Sequence, residues 1–438
     1  MVLPKITFSQ LVEKIKQDQA FLKDTRFILV LDLGFDPDDI FALDYAIKHI
    51  KSSIALIVTS FYKTHEKALE TLIHLYSQGI YDIPVAPGLA FADDDDENDA
   101  KFKKQVPLWP ASFGYPHDSE SLIGNHFKNY RVNIECSPEI MERMTRYAYD
   151  IYKNPAYTTN LVWKVLTDAK KNNKPIGILA QGPLTDVSSW IDSGYFKDGP
   201  DISISYVMSG VLFVKGQEYV MERLGYNYMM DPDSAANFFE NMPGYIVIVN
   251  TDFCRNSSLV LSEDDRDDLM KILDSGDVDV KKAFAADIEL FNEKKPCSVS
   301  LPLADCGVPY FAHQPEKMVE GVAAKFCRSG GCLLASNTSI FLAYDRDEHF
   351  LNANPYKYAQ LHVEPSNIFF ITRVENDETM KAEIMKTIIE SAKNRGSFQE
   401  MVLPGIKKLM EKDGYNLDCP DFENQLRYTS IKPTRQIK

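Results

Sequence analysis

The sequence predicts an α/β fold: a doubly wound, mostly parallel sheet with a lid insertion and a C-terminal extension. Three observations predict it. Short apolar runs bounded by turn formers recur along the chain, as strands buried on both faces require. Helical patterns separate several of them. An acidic loop follows the first run, at the edge where such sheets bind ligands.

The first run, 26–32 (RFILVLD), ends on Asp32. Further runs are 54–59 (IALIVT), 83–86 (IPVA), 176–181 (IGILAQ), 203–209 (SISYVMS), 245–250 (YIVIVN) and 367–372 (NIFFIT). Each is short enough to be a strand rather than a helix. The helical patterns fall at Glu66–Ser77, Thr158–Asn172, Asp233–Asn241 and Asp377–Asn394. The chain divides into a helical lead-in (1–25), a main domain (26–394) and an accessory tail (395–438). Within the main domain, 91–138 reads as an insertion. It opens on a solvated charge run (ADDDDENDAKFKK) and turns aromatic and Pro-rich (PLWPASFGYPHDSE), the composition of a lid beside a site.

Composition narrows the function classes. The 438 residues are 45% apolar and 25% charged, which is ordinary globular usage. The net charge of −15 argues against a nucleic-acid binder, which needs a basic face. Seven irregularly spaced Cys give no zinc motif and read as reduced thiols. The N-terminus lacks the apolar core of a signal peptide, and no window reaches the length of a membrane span. The expectation is a cytoplasmic protein without nucleic-acid or membrane partners.

The loop after the first strand carries the chemistry. Asp32, Asp36, Asp38 and Asp39 gather around Gly34, where a core strand meets a helix start. One or two acids there would be a helix cap that complements the dipole. Four carboxylates repel one another and call for a cation or hydrogen-bond donors. Oxygen ligands at this density suit Ca²⁺ or Mg²⁺. Polar residues also close the other strands: Thr59 and Ser60, Gln181, Ser209, and Asn250.

Several segments then resemble the inosine/uridine-preferring nucleoside hydrolases. DLGFDPDDIFALDYA (32–46) resembles the family's Asp-rich loop, in its Asp-x-Gly-x-Asp-x-Asp-Asp form. GILAQGPLTDVSSW (177–190) is similar to its Gly-Pro-Leu-Thr-Asn segment, with Asp186 for Asn. VMSG (207–210) and GYNYMMDPDSAANFF (225–239) resemble the Met-Gly-Gly and Glu-Phe-Asn…Asp-Pro-Glu-Ala-Ala segments. LPLADCGVPYFA (301–312) is a looser echo of the late His-Asp motif, with Ala304 for the His, and DIPVAPGLAF (82–91) is a weaker one.

The resemblance implies a Ca²⁺-dependent hydrolysis of the N-glycosidic bond of ribonucleosides, releasing base and ribose. It makes Asp32, Asp39 and Asp305 the carboxylate ligands of one Ca²⁺, with the main-chain carbonyl of Gln181 completing the protein shell. Asp32 doubles as general base toward the attacking water. Asp38 binds the ribose diol, and Asn227 binds other sugar hydroxyls. The partner is then a small nucleoside or ribosyl substrate, and family members often form homo-oligomers.

Three departures bear on activity. Val30 stands where many members carry an earlier Asp, Gly225 replaces a Glu that contacts the sugar, and Ala304 replaces a His that protonates the leaving base in some members. Leaving-group assistance then falls to Trp109, His117, Tyr226 or Tyr228. Without the resemblance, Asp305 reads as a helix N-cap, Asn227 as a turn residue and His117 as a surface residue. A non-catalytic nucleoside- or sugar-binding protein is the second reading. A phosphohydrolase with an aspartyl nucleophile is third, because the second Asp it wants two residues after Asp32 is Gly34.

Overall fold

The structure is a computed structural model. It describes residues 4–17, 24–33, 38–61, 64–89, 137–152, 155–197, 199–209, 213–214, 227, 231–250, 253–254, 259–261, 265, 301–327, 332–335, 338–340, 365–394, 396 and 398–418.

In chain order the elements are α1 (Phe8–Gln17), β1 (Arg26–Leu31), α2 (Asp38–Ile50), β2 (Ile54–Thr59), α3 (Thr64–Ser77) and β3 (Val85–Pro87). Then come α4 (Pro138–Tyr152), α5 (Pro155–Lys171), β4 (Ile176–Ala180), α6 (Thr185–Asp192), β5 (Ile204–Met208) and β6 (Phe213–Val214). The chain continues through α7 (Pro232–Asn241), β7 (Tyr245–Val249), β8 (Val260–Leu261), β9 (Leu301–Pro302) and α8 (Gly307–His313). It closes with β10 (Met318–Cys327), β11 (Cys332–Ala335), β12 (Thr338–Ile340), β13 (Ile368–Val374), α9 (Asp377–Lys393) and α10 (Leu403–Lys412).

Among the described residues, eleven strands form one sheet in the order β3-β2-β1-β4-β5-β7-β13-β10-β11-β12-β6. From β3 to β13 all neighbours are parallel, and from β13 to β6 they are antiparallel. The expected apolar runs supply that parallel set. The third is shifted toward its C-terminal side, to Val85–Pro87, where Val85 pairs with Ile57. The antiparallel extension is absent from the expected strands. In β10 the apolar run is interrupted by Glu320, Gly321 and Lys325, as suits a ribbon rather than a buried parallel strand.

Alternation along β1 sorts the core into two layers, since successive side chains point to opposite faces. Phe27, Leu29 and Leu31 join one apolar cluster, with side chains of α1, α2, α3, α4, α8, α9 and α10. Ile28 and Val30 join the other, with Val162 and Leu166 of α5, Val187 and Trp190 of α6, and Phe238 of α7. Helices therefore cover both faces, as a doubly wound sheet requires. Phe8, Leu11 and Ile15 of α1, and Leu403, Ile406 and Met410 of α10, are buried in the first cluster. Cys254 and Cys306 are buried. Among the described residues, no helix is long and apolar enough to cross a membrane.

The chain runs from β1 outward to β2 and β3, then returns to lay β4 on the other flank of β1. That reversal is the topological switch point, and the crevice outside the carboxyl ends of β1 and β4 is where open α/β sheets bind ligands. Asp32 and Gln181 follow those two strands directly.

Candidate active site

The first carboxylate is placed by β1. Asp32 is the residue after that strand, and the Gln181 and Ser60 backbone amides donate to Val30 and Leu31 just before it. Gly182 lies against it. A Cβ at Gly182 would fall 2.9 Å from the Asp32 Cβ and Cγ and 2.5 Å from the Ser60 Oγ, so the close approach needs a glycine. Asp38 and Asp39 form the first turn of α2, where the helix dipole favours negative charge. Asp305 comes from the turn that precedes α8.

These segments converge. Asp32, Asp39 and Asp305 are all buried, and one carboxylate oxygen from each lies within 4.8 Å of the others. At such spacing each pair of charges repels by at least about 3.5 kcal/mol in an effective dielectric near 20, so the trio needs positive charge or protons beside it. An oxygen-only set of three carboxylates fits a hard divalent cation and not a thiolate-seeking ion. The resemblance implies the Gln181 carbonyl as a fourth donor, and Gln181 directly follows β4 at the same sheet edge. Its side chain also has a role that sequence reasoning did not give it: Nε2 donates to the Asp305 carbonyl at 3.2 Å, tying β4 to the turn before α8.

Asp305 is not a helix cap. The residue in the N-cap position of α8 is Cys306, and its side chain makes no capping hydrogen bond. Asp38 is buried beside the trio, with the Asp305 backbone N–H 3.5 Å from its Oδ2. Asn227 is buried too, and its amide donates to the Gln181 carbonyl at 2.6 Å and to the Met208 carbonyl at 3.1 Å. The structure thus brings Asp32, Asp38, Asp39, Gln181, Asn227 and Asp305 to one end of the sheet. Asp36, Trp109, His117, Gly225, Tyr226 and Tyr228 lie outside the described residues.

Sequence reasoning missed Lys67. It is buried on α3, and its ammonium donates to the main-chain carbonyls of Asp32 at 3.0 Å and Ser60 at 3.3 Å. The lysine fixes the ends of β1 and β2 and sets a positive charge behind the carboxylates. Its signal is its helical stripe: Thr71, four residues on, is buried, as are His74 and Leu75. The intervening backbone turns sharply, with Phe61 at φ 71°, a left-handed conformation that a phenylalanine adopts only under constraint.

A strand-end residue and a helix cap make structural bonds. Asn250 donates to the Ile371 carbonyl at 2.8 Å and accepts from the Phe253 N–H at 2.8 Å, holding β7 to β13. Asp231 caps α7 through the Ser234 N–H and accepts from the Thr185 hydroxyl at 2.8 Å. Beside it, burial and the Asp231 charge push the Asp186 carboxyl up to about 7, against the lowering effect of the Leu89 N–H that it accepts at 2.7 Å.

Fold and site together define a class, a doubly wound α/β protein with an acidic site at its switch point. A sequence model of the inosine-uridine preferring nucleoside hydrolases matches residues 27–381. The chain belongs to that family of N-glycosyl hydrolases. Among solved structures it is similar to a purine-preferring ribonucleoside hydrolase from Gardnerella vaginalis, at 14% identity and a TM-score of 0.50, covering 84% of this chain and 99% of that one. A plant nucleoside hydrolase aligns over 84% of this chain and 98% of its own at 16% identity and a TM-score of 0.48. An inosine-uridine preferring nucleoside hydrolase from Bacillus anthracis aligns over 84% and 99% at 11% identity and a TM-score of 0.47. No curated protein matches the sequence.

Proposed function

We propose that the protein hydrolyses the N-glycosidic bond of ribonucleosides to free base and ribose, with one Ca²⁺ held by Asp32, Asp39, Asp305 and the carbonyl of Gln181. The observation that carries this reading is the convergence of three buried carboxylates from distant segments at the switch point of the sheet. A divalent cation bound there supplies positive charge and acidifies water.

The remaining roles belong to the chain. Asp32 accepts the proton of the attacking water. Asp38 accepts hydrogen bonds from the ribose diol, and Asn227 offers its side-chain oxygen to the sugar while its amide holds the Gln181 carbonyl. Cleavage passes through an oxocarbenium-like state, which the buried carboxylates stabilise electrostatically. Ala304 has no proton to give, so the departing base is assisted by stacking or by a donor from the segments that carry Trp109, His117, Tyr226 and Tyr228. Chromatographic detection of base released from ribonucleosides, with Ca²⁺ and with chelator, tests this reading. Turnover that is insensitive to chelator would overturn the cation's part in it.

A second reading, nucleoside binding without turnover, is favoured by Ala304 at the leaving-group position. Calorimetry that detects nucleoside binding by a preparation releasing no base would select it.

A further inference from the structure

Three side chains at the far end of α2 make a second constellation. His49 lies in the last turn of that helix, ten residues beyond Asp39, about 15 Å along the axis from the carboxylate trio. His313 is the final residue of α8, and Glu383 projects from α9. One ring nitrogen of each histidine and one carboxylate oxygen of Glu383 lie within 4.8 Å of one another. We propose that His49, His313 and Glu383 form a second cation site, selective for a first-row transition ion of the Zn²⁺ type, that clamps α2 to α8 and α9.

The three side chains approach one another without a direct hydrogen bond between His313 and Glu383; the Tyr45 hydroxyl bridges them, 3.0 Å from His313 Nδ1 and 2.7 Å from Glu383 Oε1, and a cation would replace that bridge. The imidazoles are tilted against each other, with ring centroids 4.6 Å apart and planes 30° apart. His313 Nδ1 stands 3.7 Å from the nearer Glu383 oxygen, too long for a hydrogen bond. That gap is close to the separation of about 3.3 Å between neighbouring ligands of a tetrahedral ion with bonds of 2.0–2.1 Å. The carboxylate accepts hydrogen bonds from neutral groups: the Tyr45 hydroxyl at 2.7 Å and the Gln314 amide, 2.7 Å from each oxygen. The Thr387 hydroxyl lies 3.0 Å from His49 Nε2. Such outer partners orient the ligands of a metal centre. The His313 and Glu383 side chains keep 31% and 26% of their exposure, which leaves an ion a path from solvent.

Two nitrogens and one carboxylate select against Ca²⁺ and Mg²⁺, which prefer all-oxygen shells, and toward Zn²⁺ and its neighbours. The placement gives the clamp a consequence. The two helices joined at their C-terminal ends, α2 and α8, are those whose N-terminal ends deliver Asp38, Asp39 and Asp305. An ion at the far end would fix their packing and with it the spacing of the carboxylates.

The test uses the full chain, stripped with chelator, dialysed and then saturated with Ca²⁺ so that the carboxylate site is filled. Zn²⁺ alone is titrated in by calorimetry, and melting is followed with and without it. The expected result is one further Zn²⁺ equivalent and a higher melting temperature. His313→Gln or Glu383→Gln should weaken that equivalent at least tenfold, and the double variant His49→Gln/His313→Gln should lose both the equivalent and the thermal shift. Asp39→Asn should keep both. Circular dichroism of each variant in the absence of Zn²⁺ checks folding. Wild-type protein that takes up no Zn²⁺ under these conditions, or folded histidine variants that bind it as tightly as wild type, would overturn the proposal.

Discussion

The side-chain amide of Asn227 donates to the main-chain carbonyl of Gln181 at 2.6 Å. A residue expected at the sugar is thereby tied to the atom expected at the cation. Removing the amide frees the carbonyl to reorient, and partners of this outer kind typically matter 10–100-fold for metal affinity. Asn227→Ala should weaken Ca²⁺ binding by about tenfold in calorimetry. An unchanged Ca²⁺ affinity with a raised KM would confine Asn227 to the sugar.

The buried trio predicts opposite effects with and without the cation. In chelator, Asp39→Asn removes one of three mutually repelling charges, so the variant should melt at or above the wild-type temperature. With Ca²⁺ the order should reverse, because a ligand has been lost, and turnover should fall by roughly 10²–10⁴-fold, the scale of a lost acid–base or charge-stabilising group. Thermal melts in the two buffers and initial rates check both halves.

Lys67 should prove structural. Lys67→Met strips the donor from the carbonyls of Asp32 and Ser60 and removes the positive charge behind the carboxylates. Leaving a buried polar group without its partner costs about 1–3 kcal/mol. Urea unfolding of the variant should show a loss of that order, with the slope unchanged.

Asp186 sets a pH dependence. Its carboxyl is raised from the ordinary 3.8 to about 7 by burial first and the Asp231 charge second. Between those values the folded chain holds a proton that the unfolded chain has lost, so this residue's contribution falls as pH rises from about 4 to about 7 and stays low above that. Asp186→Asn, the residue the family motif carries, should flatten that slope and stabilise the protein by about 1–3 kcal/mol at pH 8 relative to pH 5. Urea midpoints at the two pH values measure it.

The parallel half of the sheet was legible because its strands are buried on both faces and so read as unbroken apolar runs, from Phe27–Leu31 to Ile368–Ile371. The antiparallel ribbon was not, because Glu320, Gly321 and Lys325 break the apolar pattern of β10. The helix at Gly307–His313 was also hidden, since Pro309 and its short length mask any periodicity. At the site, Asp32 and Asp39 announce themselves as neighbours in sequence. Asp305 is a lone acid in an apolar stretch, and only the family pattern linked it to them. Lys67 left only the faint signal of its helical stripe, because a lysine in a first helical turn normally points to water and its burial depends on where β1 and β2 end. The histidines at 49 and 313 are separated by most of the chain, and only the packing of α2 against α8 brings them together.

The central claim is a cation-dependent nucleosidase site built on Asp32, Asp39 and Asp305. Its most direct test is base release from a panel of ribonucleosides, read by chromatography with added Ca²⁺, with chelator, and after Ca²⁺ is restored. Release that stops in chelator and returns with Ca²⁺, and that Asp39→Ala abolishes, is the predicted result. No release from any nucleoside by protein that still binds Ca²⁺ would contradict it.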